Sequence, residues 1–378
     1  MSKVLINATI YTGKRVIDKG YVRFNQQILD AGEMSDYQQK PDDQVIDASR
    51  KLVVPGFIDV HTHGGYGVDA MSTDPAAISQ MVDKMTQEGV TSVFLTTMTQ
   101  RPELISQAMQ TILRAASMNP KIVGIHLEGP FISPKYNGAQ PENLIQKIDI
   151  GKFAEWDRLS GGLVKLLTYA PEMGVDDDVS TYCSEHGIVM SVGHSGATYA
   201  QLKALKPARI THLFNAQRGF AQREVGVVGY AMLDRDVKAE LICDGYHVAP
   251  EAVQIAYKLI GPDRLELISD SMEAKGEPDG TYQLGGQPVN VHDGRATLTN
   301  GHLAGSVLKF NQAFKNIIQF ANCSIASAVK MSSTNQALEF SLTHKGFLER
   351  GYDADLNVFD KHLDLMATYS YGKFVNKD

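Results

Sequence analysis

The chain has 378 residues, of which 43% are hydrophobic and 21% charged, a composition that argues against a largely disordered protein. Its formal net charge is −7 and no cluster of Lys and Arg stands out, so nucleic acid is not an expected partner. The first residues contain only three consecutive apolar side chains, and no run reaches eighteen, so we expect a cytoplasmic protein with no membrane association. The three cysteines lie far apart and lack C-x-x-C spacing, which predicts neither a disulfide framework nor a thiolate zinc site.

The two ends of the chain have no helical periodicity. They read as short alternating strands separated by turns such as Thr12-Gly13 and Lys19-Gly20. Each end is too small to bury its own core, so we expect residues 1–53 and 346–378 to combine in one small β-sandwich domain. Residues 54–345 then form a second, catalytic domain.

Between these ends, short runs rich in Val and Ile alternate with helical patterns, which is typical of successive βα units. Asp74-Pro75 predicts the start of one helix that ends near Gly89, and another runs from Pro250 to Gly261. The predicted strands are Leu52–Asp59, Thr91–Thr97, Ile122–Glu128, Val164–Ala170, Ile188–His194, Arg209–Phe214, Ala239–Asp244 and Leu265–Asp270. Eight such units predict an α/β protein built on a closed, TIM-like (β/α)₈ barrel.

Polar side chains stand at the carboxyl ends of these strands, where barrel active sites are assembled. They are His61 and His63 after strand one, Glu128 after strand three, His194, His212, Asp244 and His247 after strands five to seven, and Asp270 after strand eight. We expect them to meet at one mouth of the barrel.

Several of these residue types are suited to binding a divalent cation. His61 and His63 lie two residues apart on an extended segment, so both imidazoles project to one face and can share a metal ion. An isolated H-x-H pair is more often a structural feature, but the preceding strand and the following glycines favour ligands here. Glu128, His194 and His212 would make a three-ligand site with a position left for water, although each alone could be a cap or a buried support. His126 is interpreted as a support for the ligands.

Asp270 is the candidate general base. A carboxylate beside a metal-bound water can take its proton and return it to a departing amine. In isolation such an aspartate more often caps the segment that follows it.

These motifs together resemble the N-acetylglucosamine-6-phosphate deacetylase family of the amidohydrolase superfamily. The resemblance covers nearly the whole chain and rests on Val54-Pro-Gly-Phe-Ile-Asp-Val-His-Thr-His-Gly, His126-Leu-Glu-Gly-Pro-Phe, Val192-Gly-His-Ser, Thr211-His-Leu-Phe-Asn-Ala, Asp244-Gly-Tyr-His and Ser269-Asp. It implies hydrolysis of the acetamido group of N-acetylglucosamine 6-phosphate to acetate and glucosamine 6-phosphate, a step of amino-sugar catabolism, by metal-activated water.

The resemblance also implies roles for individual residues. Glu128, His194 and His212 would hold the principal metal, His61 and His63 a second one, and Asp270 would act as general base and acid. The implied cofactor is one or two divalent ions per subunit, zinc or iron first, with manganese or cobalt as alternatives. The implied substrate-binding residues are Ala139, Gln140, Asn215, Ala216, Arg223, Asp244, His247, Leu303, Ala304 and Gly305. Because the family's arginine reaches the phosphate across a subunit interface, a homodimer is implied.

The sequence departs from the family pattern at three places. Gln140 stands where several members have a histidine that bonds the acetamide carbonyl, and an amide cannot become cationic, so the metal would polarise the carbonyl more strongly here. Gln222-Arg-Glu-Val-Gly and Ser271-Met-Glu-Ala-Lys also differ from the expected segments. The departures bear on which sugar epimer is the substrate.

Three alternatives stay open at this point. The nearest is a deacetylase acting on N-acetylgalactosamine 6-phosphate with the same catalytic residues. A cyclic amidase of the dihydroorotase type would need a carboxylated lysine on strand four, where Lys165 lies early and Glu128 already supplies an acid. A non-catalytic sugar-phosphate sensor on the same barrel is the third.

Overall fold

The computed structural model describes residues 2–175 and 177–375. Its strands, in chain order, are β1 (Ser2–Tyr11), β2 (Val16–Phe24), β3 (Ile28–Glu33), β4 (Asp43–Asp47), β5 (Leu52–Pro55), β6 (Phe57–Thr62), β7 (Gly64–Gly65), β8 (Val68–Asp69), β9 (Val90–Thr97), β10 (Ile122–Glu128), β11 (Val164–Tyr169), β12 (Val189–Val192), β13 (Arg209–Ile210), β14 (Lys238–Ile242), β15 (Leu265–Ile268), β16 (Gly280–Leu284), β17 (Gln287–His292), β18 (Arg295–Leu298), β19 (Leu356–Phe359), β20 (Leu365–Ser370) and β21 (Lys373–Val375).

The helices are α1 (Pro75–Met85), α2 (Pro102–Met118), α3 (Ile150–Leu159), α4 (Asp177–Glu185), α5 (Tyr199–Leu205), α6 (Gly226–Leu233), α7 (Pro250–Ile260), α8 (Phe310–Ala321), α9 (Ile325–Val329) and α10 (Asn335–Glu339). A π-helical turn, Lys330–Thr334, joins the last two. In the described part of the chain, no helix is both long and apolar enough to cross a bilayer.

The predicted barrel is confirmed. Its strands pair in parallel in the order β15-β14-β13-β12-β11-β10-β9-β6, so each strand neighbours the one before it in sequence. The two ends of this sheet meet beyond β6 and β15, where the Asp270 amide donates to the His61 carbonyl at 2.9 Å. Ile125, Leu127, Leu167 and Leu241 are among the strand residues that are fully buried in the core.

The first predicted strand is wrong in its bounds, because the structure divides it at Gly56. Leu52–Pro55 joins the sheet built by the chain ends, and only Phe57–Thr62 belongs to the barrel. A Cβ atom at position 56 would collide with the Thr91 side chain, so glycine is required where the chain passes between the sheets. As a result, His61 lies within the barrel strand and His63 follows it directly.

Helix α1 begins as its sequence predicts. The Asp74 side chain accepts hydrogen bonds from the amides of Ala76 and Ala77, and Pro75 occupies the first helical position. A 3₁₀ turn, Thr86–Glu88, follows the helix and ends at Gly89, whose φ of +88° is the left-handed conformation common at helix ends.

Both chain ends contribute to a second sheet, as predicted. Its order is β21-β20-β19-β5-β1-β2-β3, and β4 pairs with β1 in parallel. The apolar residues on β1, including Leu5 and Ile10, pack with Phe24 and Leu356 in a core of their own. The domain boundaries at 53/54 and 345/346 stay a prediction.

A third, antiparallel sheet of β16, β17 and β18 was not predicted as strands. Its Leu284 and Val289 pack against Met98 and Met272 near the carboxyl ends of the barrel strands. This small sheet therefore forms a wall beside the mouth of the barrel.

Candidate metal and active site

The structure brings the predicted strand-end residues together at one mouth of the barrel. Glu128 ends β10, His194 and His212 follow β12 and β13, and Asp270 follows β15. His61 and His63 reach the same point from the end of β6. All six side chains are buried.

Three acceptor atoms converge between β10, β12 and β13. The Glu128 Oε1 atom lies 3.2 Å from His194 Nε2 and 2.9 Å from His212 Nε2, and the two Nε2 atoms are 3.0 Å apart. His194 Nδ1 lies 2.9 Å from the Tyr136 carbonyl, which can only accept, so Nδ1 carries the proton of the neutral ring. The Nε2 lone pair therefore faces other acceptors, an arrangement that fits a shared divalent cation.

A second group of acceptors lies beside the first. His61 Nδ1 donates to Glu240 Oε2 at 2.9 Å, and His63 Nδ1 donates to the Thr96 carbonyl at 3.3 Å. Their Nε2 atoms then face Asp270 Oδ1 at 3.5 and 3.4 Å, and no described residue forms a hydrogen bond with His61 Nε2.

Glu128 links the two groups. Its Oε1 atom faces His194 and His212, and its Oε2 atom lies 3.2 Å from His63 Nε2. One carboxylate can bridge two cations, so these side chains fit either one or two divalent ions.

The charges around the mouth favour a cation. Burial lowers the pKa of His63, but Asp270 and Glu128 outweigh it and raise that pKa to about 9. Burial raises the pKa of Glu128, while His61 and His194 hold it well below its ordinary value, so the carboxylate stays ionised. Without a metal, His63 therefore attracts a proton, which occupies a position where a cation would bind.

His126 differs from the other histidines of the mouth. Its Nε2 atom lies 2.7 Å from Thr168 Oγ1, and its ring contacts His61 edge-on with centroids 4.4 Å apart. Burial and the neighbouring His61 hold its pKa well below the ordinary value, so the ring is neutral. Its interpretation as a support for the ligands stays a prediction.

The backbone at the strand ends aims these side chains into the mouth. His194, His212 and Asp270 have φ values of 46°, 29° and 47°, a region that costs non-glycine residues free energy and is common at functional sites. The amide of Ser306 donates to the Asp270 carbonyl at 2.7 Å and holds this turn. Burial raises the pKa of Asp270, but His61 and His63 outweigh it and lower that pKa, so the side chain is an ionised proton acceptor.

A cavity of about 370 Å³ opens above these groups. Of the predicted substrate-binding residues, those that line it are Ala139, Gln140, Asn215, Ala216, His247, Leu303 and Gly305. Asp244 lies behind His247, where its Oδ2 accepts from His247 Nδ1 at 2.7 Å. Ala304 is buried beside the cavity, and Arg223 is exposed, so the described lining of this chain includes neither.

Gln140 has its amide fixed by two neighbours. Thr99 N donates to Oε1 at 2.7 Å, which orients Nε2 toward Glu128 Oε2, also at 2.7 Å. The amide group therefore holds the carboxylate between the two ligand groups.

Other contributors were missed by sequence reasoning. Four further residues also line the cavity, but they lie on a short 3₁₀ helix, a loop and the third sheet, where no strand-end signal exists: Lys135, Tyr136, His302 and Leu284. Glu240 was missed too, although a carboxylate inside the apolar run Ala-Glu-Leu-Ile of β14 was a signal that could have identified it.

Comparison with known proteins gives concordant matches. The Amidohydrolase family model matches residues 52–377. The N-acetylglucosamine-6-phosphate deacetylase of Lysinibacillus sphaericus is 41% identical over 334 residues, covering 87% of this chain and 86% of that protein. The enzyme of the same name from Bacillus subtilis is 35% identical, covering 100% of this chain and 98% of the relative.

A solved structure and a second type of relative also match. The structure is an aspartate-to-alanine mutant of the Mycobacterium smegmatis N-acetyl-D-glucosamine-6-phosphate deacetylase in complex with N-acetyl-D-glucosamine-6-phosphate, with a TM-score of 0.92, 29% identity and full coverage of both chains. An N-acetylgalactosamine-6-phosphate deacetylase from Escherichia coli O157:H7 is 29% identical over 94% of this chain and 99% of its own.

Proposed function

Because this chain belongs to the amidohydrolase family, and within it to the N-acetylglucosamine-6-phosphate deacetylases, we propose that it hydrolyses the 2-acetamido group of N-acetylglucosamine 6-phosphate to acetate and glucosamine 6-phosphate. The observation that carries this proposal is the convergence of Glu128 Oε1 with the Nε2 atoms of His194 and His212, all within 3.2 Å, below a cavity of about 370 Å³.

We assign the metal-binding roles as follows. Glu128, His194 and His212 would hold one divalent ion, and His61 and His63 would hold a second. Imidazole and carboxylate ligands suit zinc or iron, with manganese or cobalt as alternatives. A cation bound there supplies Lewis acidity that activates a water molecule and polarises the acetyl carbonyl.

Asp270 would transfer the proton in this reaction. Its ionised carboxylate lies at the edge of both ligand groups, with Oδ1 within 3.5 Å of His61 and His63. It would accept the proton of the attacking water and return it to the leaving amine of the sugar. Gln140 would keep Glu128 in place, because one N–H of its side-chain amide donates to that carboxylate.

The rest of the cavity would bind the sugar phosphate. Asp244 fixes the ring of His247 on the cavity wall, near Asn215 and Ala216. Arg223 is exposed on its own chain, so we propose that it contacts the phosphate bound by a second copy in a homodimer. A guanidinium suits a phosphate dianion because it donates two parallel hydrogen bonds. The cytoplasmic location and the role in amino-sugar catabolism stay predictions.

The galactosamine epimer is the second candidate substrate. It is favoured by the similarity to the Escherichia coli relative that carries that name. The two sugars differ at the 4-hydroxyl, so residues of the cavity wall rather than the metal ligands would decide between them.

An acetate-release assay tests the proposal. Metal-reconstituted protein is given both N-acetylhexosamines, each with and without the 6-phosphate. We expect the highest kcat/KM with N-acetylglucosamine 6-phosphate and a marked loss without the phosphate. Faster turnover of the galactosamine compound would reassign the epimer, and no acetate from any of the four would refute the proposal.

A further inference from the structure

The interior of the barrel contains a buried ionic network below the ligand groups. Arg209 on β13 pairs with Glu240 on β14 through Nη2 and Oε1 at 3.1 Å, and with Glu266 on β15 through Nη1 and Oε2 at 2.8 Å. It also contacts Glu339 of α10. The side chains of Arg209, Glu240 and Glu266 have no exposed surface. Burying such ions is costly unless each is paired, and Arg209 supplies the opposite charge for these carboxylates.

Glu240 is the member of this network that reaches the ligand groups. Its Oε2 atom accepts from His61 Nδ1 at 2.9 Å and from the His212 backbone amide at 3.1 Å. Its Oε1 atom accepts from Nε and Nη2 of Arg209 at 3.3 and 3.1 Å. Burial raises the pKa of Glu240, but His61 and Arg209 outweigh it and lower that pKa, so the carboxylate is ionised.

We propose that Glu240, held in place by Arg209, is a positioning residue that orients His61 and His212, one ligand in each of the two groups. Its bond to His61 keeps the proton on Nδ1 and leaves Nε2 free to bind a cation. Its bond to the His212 amide holds the backbone turn, with φ of 29°, that presents the His212 ring. The inference rests on the proposed function, because it requires that the two groups bind metal.

The main consequence concerns the cation held by His61 and His63. Glu240 bonds the His61 ring directly, whereas it reaches His212 only through the backbone amide. Loss of the Glu240 charge would therefore lower the affinity for this second cation by about 10–100-fold, the usual effect of removing a group that supports a metal ligand. The cation at Glu128, His194 and His212 would be affected less.

Glu266 provides a matched control. It lies on the neighbouring strand, is equally buried and contacts the same arginine, but it accepts its hydrogen bond from Arg209 and has none with a described histidine. Burial raises the pKa of Glu266, and Arg209 opposes this effect. Any general effect of disturbing the network should appear in Glu266→Gln as well.

The experiment compares wild type, Glu240→Gln and Glu266→Gln after loading with zinc. Bound metal is measured against graded concentrations of a chelator, and folding is checked by circular dichroism. We expect wild type and Glu266→Gln each to bind two equivalents of zinc with the same affinities. In Glu240→Gln, the second equivalent should dissociate at a free-zinc concentration about 10–100-fold higher than in wild type. Wild-type affinity for both ions in Glu240→Gln overturns the inference.

Two further outcomes keep the test decisive. If Glu240→Gln does not fold, Glu240→Asp keeps the charge that pairs with Arg209 but is one methylene shorter, and unchanged affinity in that variant overturns the inference. Wild-type protein that binds fewer than two ions overturns it too. The proposed function fails as well only if the wild-type protein binds no ion at all. Failure of the inference and failure of the proposed function are therefore distinguishable.

Discussion

The Asp270→Asn substitution probes the proposed chemistry with little change in shape. It replaces one carboxylate oxygen by an amide nitrogen, which removes the negative charge and the ability to accept a proton. Oδ1 of Asp270 lies 3.5 Å from His61 Nε2 and 3.4 Å from His63 Nε2, so the same change also removes charge beside that pair. The ligands Glu128, His194 and His212 keep their mutual contacts, and the metal that they would hold should remain bound.

The size of the effect follows from the role assigned to the carboxylate. A positioned general base accelerates a reaction by about 10²–10⁴-fold, so we expect kcat to fall by about that factor. At about 1.4 kcal/mol for each tenfold change, this corresponds to a barrier raised by roughly 3–5 kcal/mol. KM should change little, because Asp270 acts on the reacting water rather than on the sugar phosphate.

The assay measures acetate release at saturating substrate together with the metal content of the same sample. Asp279→Asn, a substitution of the same type at an exposed position, serves as the control and should behave as wild type. A variant at position 270 that retains its metal and turns over within about threefold of wild type would remove Asp270 from its role.

Three other changes test separate parts of the structure. His61→Ala should cost one metal equivalent at most, and two equivalents in that variant, measured by elemental analysis, would contradict the ligand assignment. Without metal, Asp270 and Glu128 raise the pKa of His63 to about 9, so protons compete with the cation for this ring. The metal affinity measured by calorimetric titration should therefore rise with pH up to about 9. An affinity that does not change with pH would contradict this competition. The Phe57→Ala substitution should lower the free energy of unfolding by about 3–5 kcal/mol, because Phe57 is fully buried and its ring lies 5.0–6.0 Å from three others, those of Phe310, Phe314 and Phe359. A loss below about 1 kcal/mol in urea denaturation would contradict its core position.

The barrel was predictable because its strands are apolar along their length. Parallel strands buried on both faces give continuous runs of Val, Ile and Leu, and the helices between them show a different period. The residues of the site were predictable for a related reason. The carboxyl ends of parallel barrel strands meet at one mouth, so Glu128, His194, His212 and Asp270 had to lie near one another once the strands were assigned.

What the sequence did not reveal depends on contacts between distant segments. Leu52–Asp59 is one apolar run, and periodicity cannot show that the chain changes sheets at Gly56. Strand β13 stops at Ile210 instead of Phe214 because the backbone turns left-handed at His212 and Phe214. The contact between His61 and Glu240 joins residues 179 positions apart, and the charge pattern of either strand alone does not indicate it.

The third sheet was missed because its pattern is weak. Strand β16 alternates only partly, with exposed residues at Gly280 and Thr281, and its apolar positions pack against Met98 and Met272 of the barrel mouth. Such a strand lacks the continuous apolar run that identified the barrel strands.

The proposed enzyme depends on a divalent cation held by buried imidazoles and carboxylates at the barrel mouth. Anomalous diffraction from crystals of the zinc-loaded protein, recorded on both sides of the zinc absorption edge, tests it directly. We expect a peak about 2.0–2.2 Å from Glu128 Oε1 and from the Nε2 atoms of His194 and His212. A map from fully loaded crystals with no peak between these three residues would contradict the claim.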